Sequence, residues 1–156
     1  MSKIITTHLT VSATAEDVWA ALTDLASYNA WNPFITDAAG TVAVGERLDL
    51  TIQPPGGRAM TFRPWLTAVE DHRYLEWLGR LAMPGIFDGR HSFQLTPMGL
   101  SRTLVQQSET FTGALMPFTG HLLARTQLGF VAMNEALAWQ TLRTTSGHIG
   151  EAPLGK

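Results

Sequence analysis

Three side chains in this sequence could take part in proton transfer: His91, Tyr28 and Glu109. His91 alternates with Phe93 and Leu95 along a predicted strand, so its imidazole is expected to point inward. A buried histidine can bind a ligand oxygen or move a proton near neutral pH, but it can equally be a core residue bonded to a strand neighbour. We take His91, together with Tyr28 or Glu109, as the candidate catalytic group.

Glu109 lies on the strand that is predicted to pair with the strand of His91. Counting back from a turn at residues 97–99 places it opposite Arg90 or Gly89. A salt bridge to Arg90 is then the simplest interpretation. The alternative is a carboxylate beside His91, which would form an acid/base pair.

An aromatic cluster lies around a predicted short helix and consists of Tyr28, Trp31 and Phe34. These rings could stack on a flat ligand, while the Tyr28 hydroxyl or the Trp31 indole N–H orients it. Ordinary core packing around Trp31 and the two residues that follow it is the alternative.

Composition favours one globular domain and excludes several kinds of partner. The chain has 156 residues, of which 45% are hydrophobic and 15% charged, and its net charge is −2. That charge gives no electrostatic case for binding nucleic acid or an anionic membrane. No cysteine is present, so disulfides and thiolate sites are excluded. The five histidines are widely separated, and we expect neither a metal site nor a cofactor.

A long amphipathic helix is predicted over residues 117–145. At about 100° per residue, one face carries bulky and small side chains together: Leu122, Thr126, Gly129, Phe130, Met133 and Leu137. The small residues either let a neighbouring backbone approach or leave a void. We expect a void.

A second apolar patch on this helix consists of Leu128, Val131, Trp139 and Leu142. It could pack under the first strand or under the loop before the helix. It could equally be a homodimer contact, since exposed apolar patches mark interfaces.

The remaining segments predict a strand, two short helices and about six further antiparallel strands before the long helix. The first strand covers residues 4–11, and Ser12 or Thr14 can cap the first helix. A second short helix is predicted over 25–30. Alternating patterns and turn residues then place strands near 48–52, 59–69, 74–78, 91–95 and 101–111. No run approaches about 18 apolar residues, so we expect no membrane span and a cytoplasmic protein.

Several stretches are similar to the helix-grip superfamily that includes START lipid-transfer domains, the birch-pollen allergen group and polyketide cyclases. They are VSATAEDVW (11–19), WNPFI (31–35), LEW (75–77), FDGRHSF (87–93), ETFTG (109–113) and the long helix with Phe130, Met133, Asn134 and Leu137. The resemblance implies an α+β helix-grip fold. In it, a curved antiparallel sheet of about seven strands wraps around a long C-terminal helix, with two short helices after the first strand. A single START-like domain would span 1–146, followed by a frayed tail over 147–156.

The resemblance also implies a cavity between the sheet and the long helix. We expect it to bind a small to mid-sized hydrophobic or aromatic ligand through twelve residues: Tyr28, Trp31, Phe34, Leu50, Phe62, Trp77, His91, Phe93, Leu122, Thr126, Phe130 and Met133. The alternatives are a polyketide cyclase/dehydrase-like enzyme that uses the same cavity, and a protein-interaction module like the chaperone activators.

Overall fold

The computed structural model describes residues 2–81 and 83–148. Its fold is α+β and follows the predicted helix-grip order, with eight strands where about seven were predicted. The strands are β1 (Ser2–Val11), β2 (Ile35–Gly40), β3 (Leu48–Ile52), β4 (Met60–Phe62), β5 (Trp65–Glu70), β6 (Tyr74–Leu81), β7 (Phe87–Pro97) and β8 (Thr103–Thr112). The helices are α1 (Ala15–Thr23), α2 (Tyr28–Trp31) and α3 (Gly120–His148).

The strands form two antiparallel sheets that meet at Pro64. The larger sheet has the order β1-β8-β7-β6-β5, and the smaller one has the order β2-β3-β4. Proline has no N–H to donate to a ladder, and the predicted strand at 59–69 is accordingly divided into β4 and β5. Backbone bonds still join the sheets, because Leu48 N donates to Pro64 O at 3.0 Å and Leu66 N donates to Glu46 O at 2.9 Å.

Side-chain caps direct the chain through the two short helices. The Thr14 hydroxyl accepts a hydrogen bond from Asp17 N at 3.1 Å and begins α1. A 3-10 turn over Leu25–Ser27 precedes α2, which ends before Asn32. The Asn32 amide oxygen then accepts from Phe34 N at 3.0 Å and from Ile35 N at 2.8 Å. This turn places the buried ring of Phe34 under α3.

Helix α3 packs against β1, β8 and α1. Phe130, Met133 and Leu137 are fully buried on this face, which confirms the predicted inner face of the helix. Asn134 Nδ2 donates to Thr7 Oγ1 at 2.9 Å and ties α3 to β1. Gly147 and His148 still belong to α3, and the rest of the predicted frayed tail, residues 149–156, lies outside the described residues. Among the described residues, no helix is long and apolar enough to cross a membrane.

The expected void at Gly129 is wrong. A Cβ on residue 129 would overlap the ring of Phe34. Phe34 in turn meets Phe130 edge to face, with ring centroids 5.5 Å apart. The absence of a side chain at Gly129 therefore admits a neighbouring ring, and the middle of the space between helix and sheet is filled.

We predict that Gly129→Ala destabilises the protein by about 1–3 kcal/mol, because the added methyl forces the buried Phe34 ring to move. The matched control is Gly147→Ala, where a Cβ meets nothing within 4 Å. Alanine favours a helix over glycine, so the control is expected to be neutral or stabilising by up to about 1 kcal/mol. Urea unfolding followed by circular dichroism measures both. Equal stabilities for the two variants would show that Phe34 does not need the space at Gly129.

Candidate functional site

A partly open cavity of about 80 Å³ lies between the two sheets and the first turns of α3. The small sheet, strands β6 to β8 and α3 all contribute to its wall. Its lining residues are Phe34, Leu50, Ile52, Pro54, Met60, Phe62, Pro64, Trp77, Gly79, Arg80, Leu81, Phe87, Gly89, Glu109, Phe111, Leu122 and Thr126. Most of these side chains are apolar, and five are aromatic.

The cavity is small but large enough for part of a ligand. A void needs about 10–15 Å³ to hold one water, and an engineered apolar cavity of about 150 Å³ holds benzene. Met60 and Leu81 line this cavity and are also exposed to solvent, so they mark its open side. A ring-sized ligand would occupy the enclosed part and extend between these two side chains.

Six of the twelve predicted ligand-binding residues line the cavity: Phe34, Leu50, Phe62, Trp77, Leu122 and Thr126. The other six do not line it: Tyr28, Trp31, His91, Phe93, Phe130 and Met133. Of this second group, all but Trp31 are buried. These five belong to the buried core, and Trp31 packs against it.

Tyr28 is not placed to orient a ligand, which corrects the role expected of its hydroxyl. The side chain is fully buried, and its O–H donates to Leu22 O at 2.6 Å. Burial, helped by the nearby Asp24 carboxylate, raises the pKa of the phenol far above its usual value. Trp31 packs edge to face against Tyr28, with centroids 5.2 Å apart. Both rings act here as core residues.

His91 points inward as its strand phase predicted, and it is held on several sides. Trp77 stacks on the imidazole with centroids 4.7 Å apart and planes within 4°, and Phe130 meets it edge to face at 4.9 Å. His91 Nδ1 lies 3.4 Å from Glu109 Oε2, and Nε2 lies 3.2 Å from Gln107 Nε2. Because an amide nitrogen only donates, Nε2 accepts and the ring carries its proton on Nδ1, toward Glu109.

The expected salt bridge between Glu109 and Arg90 is wrong. Glu109 lies directly opposite His91 in the β7–β8 ladder. The turn is longer than predicted, since Met98 N donates to Arg102 O at 2.8 Å and the paired strands begin at Pro97 and Thr103. A shift of one residue in the pairing register moves each side chain of a strand to the opposite face of the sheet. The acid/base pair of His91 and Glu109 is therefore the arrangement found.

Arg90 binds Glu76 on the other face of the sheet. Burial alone would raise the pKa of the Glu76 carboxyl. Hydrogen bonds from Tyr74, Thr67 and Arg90 outweigh burial and lower this pKa. The pKa of the Tyr74 phenol is raised instead, first by burial and then by its hydrogen bond to Glu76. Because Arg90 belongs to this outer network, its guanidinium pairs with Glu76 and lies on the face of the sheet opposite Glu109.

Two glycines in adjacent strands line the cavity, and one of them makes room for Glu109. Gly79 pairs with Gly89 across β6 and β7. A Cβ on Gly89 would overlap Glu109 Oε1, so the missing side chain makes room for the carboxylate. Sequence reasoning missed both glycines, as well as Phe87 and Phe111, whose rings stack at 5.5 Å. Phe87 and Gly89 share the strand phase of His91, and that alternation could have found them.

Two charged residues, Arg80 and Glu109, line the cavity, and they differ in how far they are exposed to solvent. Arg80 is near the surface, where its Nε lies 3.9 Å from Asp88 Oδ1 and its guanidinium lies 5.6 Å from the ring centroid of Trp65. Glu109 is the more enclosed, with its side chain 16% exposed. The site can therefore accept a hydrogen bond or a proton from a bound molecule through Glu109, while His91 orients the carboxylate. Within the described residues, no group of three or more His, Asp or Glu side chains could hold a metal ion.

The second apolar patch of α3 is exposed. Trp139 is 69% exposed and Leu128 is 60% exposed, and Val131 and Leu142 are also at the surface. Neither β1 nor the loop before α3 covers them, so the packing alternative raised from the sequence is wrong.

Comparison with solved structures supports the fold. The Zhui aromatase/cyclase from Streptomyces sp. R1128 is 17% identical with a TM-score of 0.77, over 93% of this chain and 96% of that chain. A START superfamily protein from Mycobacterium smegmatis is 18% identical with a TM-score of 0.70, over 90% and 98%. Norcoclaurine synthase from Thalictrum flavum, solved with dopamine and hydroxybenzaldehyde, is 16% identical with a TM-score of 0.70, over 98% and 90%. No curated protein sequence matches this chain.

At these identities the structural likeness shows the fold alone. The sequence adds independent evidence, because residues 3–138 match the family described as polyketide cyclase / dehydrase and lipid transport. That match covers the two sheets, both short helices and most of α3. The chain belongs to the polyketide cyclase / dehydrase and lipid transport family.

Proposed function

We propose that the protein binds a small aromatic or apolar molecule in the cavity between the sheets and the start of α3. The observation that carries this proposal is a partly open, aromatic-lined space in front of a core of buried apolar side chains. Protein cores rarely leave voids larger than a water molecule. Filling this space with a ligand removes apolar surface from water, which is worth about 25 cal/mol per Å².

The structural neighbours support an aromatic ligand class. One of them is an aromatase/cyclase, and another is a norcoclaurine synthase in complex with dopamine and hydroxybenzaldehyde. Five aromatic residues line the cavity of this chain and offer ring faces and edges to such a molecule: Phe34, Phe62, Trp77, Phe87 and Phe111. The ligand is thus expected to contain at least one ring.

We predict that Leu122→Trp weakens ligand binding by about tenfold or more, because the indole occupies the space that the ligand would fill. Isothermal titration with benzyl alcohol measures the affinity, and circular dichroism checks the fold. The control is Leu128→Trp, which makes the same substitution on the exposed side of the same helix. A folded Leu122→Trp protein with unchanged affinity would locate binding elsewhere. Phe130 is unsuited to this test, because it lies behind Phe34 and does not line the cavity.

A second candidate function is proton-transfer catalysis on the bound molecule. The contact between His91 Nδ1 and Glu109 Oε2 favours it, since a carboxylate that lines a cavity and is oriented by a histidine can act as a general base. The Tyr28 hydroxyl takes no part, because it donates to Leu22 O inside the core. The reaction would begin with removal of a proton from an activated C–H or O–H of the ligand.

We predict that the protein accelerates hydrogen–deuterium exchange at the benzylic carbon of phenylacetone, whose C–H is activated by the adjacent ketone. Glu109→Gln removes the base and is expected to lower the rate about 100-fold or more. The control Glu16→Gln makes the same charge change at an exposed position of α1. Proton NMR in deuterated buffer follows the exchange. A wild-type rate equal to that of buffer alone would count against catalysis while leaving binding intact.

We also propose that two copies associate through the exposed patch of Leu128, Val131, Trp139 and Leu142. Trp139→Glu is expected to halve the molecular mass measured by size-exclusion chromatography with light scattering, because it places a charge in the apolar contact. Thr144→Glu, which is exposed and lies on another side of α3, should leave the mass unchanged. A wild-type protein that already runs as a monomer would end this proposal.

A further inference from the structure

The charges that line the cavity are unevenly placed. Among the lining residues, only Glu109 and Arg80 carry a charge. Arg80 is 38% exposed, lies near Asp88, and has its guanidinium over Trp65. Glu109 is 16% exposed, and the missing side chain at Gly89 leaves room for its carboxylate. The acid is thus the more enclosed of the two charged side chains.

Within the described residues, no lysine or arginine pairs with the Glu109 carboxylate. In the part of the chain that the structure describes, its one ion-pair partner is His91. Gln107 Nε2 lies 3.2 Å from His91 Nε2 and helps to hold the ring with Nδ1 toward Glu109 Oε2. Arg90, the neighbour of His91 in β7, is bound to Glu76 on the opposite face. Glu109 thus keeps hydrogen-bond acceptor capacity for a ligand.

The aromatic rings around this carboxylate reinforce the preference for a positive group. Trp77, Phe87 and Phe111 line the same wall as Glu109. Aromatic faces carry a negative quadrupole and attract cations within about 6 Å of the ring centroid. A carboxylate combined with several aromatic faces in a small space has the chemistry that recognises an organic ammonium group.

We propose that the molecule bound in this cavity is an organic cation: a primary or secondary ammonium attached to an aromatic or apolar group. Its N–H donates to Glu109, and its ring lies among the aromatic residues. This inference rests on the proposed binding function and adds the ligand's charge to it. A carboxylate of the same size would instead bring a second negative charge against Glu109, so anions are excluded from the site.

Three probes of nearly equal shape test the charge: benzylammonium, benzyl alcohol and benzoate. Isothermal titration at pH 7 with the full chain is expected to show benzylammonium binding about tenfold or more tightly than benzyl alcohol, because hydrogen bonds to charged groups are the stronger ones. Benzoate is expected to bind most weakly. In Glu109→Gln the ratio of the benzylammonium and benzyl alcohol affinities should fall to near one, whereas the control Glu16→Gln keeps the wild-type ratio.

The outcomes separate this inference from the function on which it rests. If benzyl alcohol binds at least as tightly as benzylammonium, binding stands and recognition of a cation is overturned. A cation preference that survives in folded Glu109→Gln overturns the role of Glu109. If none of the three probes binds, the proposed function fails, and the inference fails with it.

Discussion

The contact between the Phe34 ring and the backbone at Gly129 decides where the interior is solid and where it is open. Because Gly129 has no side chain, the ring reaches Phe130 and closes the middle of the space between helix and sheet. Toward the start of α3, Leu122 and Thr126 border the cavity instead. The absence of a side chain at Gly129 therefore determines where the packed core ends and where the cavity begins. Gly129 lies in the first half of α3, so the site lies at the start of the helix.

The Glu109 carboxylate carries a second constraint, because a polar group in a mostly apolar wall is costly unless it is hydrogen-bonded. His91 Nδ1 supplies that contact, and stacking on Trp77 keeps the imidazole in one plane. Gln107 holds the far nitrogen of the same ring. The carboxylate thus has one defined orientation at the cavity wall. Preorganisation of this kind is what a binding or catalytic group requires.

Local sequence patterns were sufficient to predict the inner face of α3, the inward phase of His91 and Phe93, and Thr14 as one of two candidate caps for the first helix. Those features depend on neighbouring residues in the chain. The partner of Glu109 depends on where the β7–β8 turn ends, and a loop one or two residues longer than predicted moved the carboxylate from Arg90 to His91. The filling of the space at Gly129 depends on Phe34, which is 95 positions away. Such long-range packing leaves no periodic signal.

The position of Trp77 has a consequence for optical measurements. The chain has five tryptophans, and Trp77 alone among them lines the cavity. Its indole lies between the cavity and the imidazole of His91, so a guest that enters changes the polarity on one side of an intrinsic fluorophore. Replacing the other four indoles by phenylalanine would leave a protein whose emission reports occupancy directly, without any attached dye.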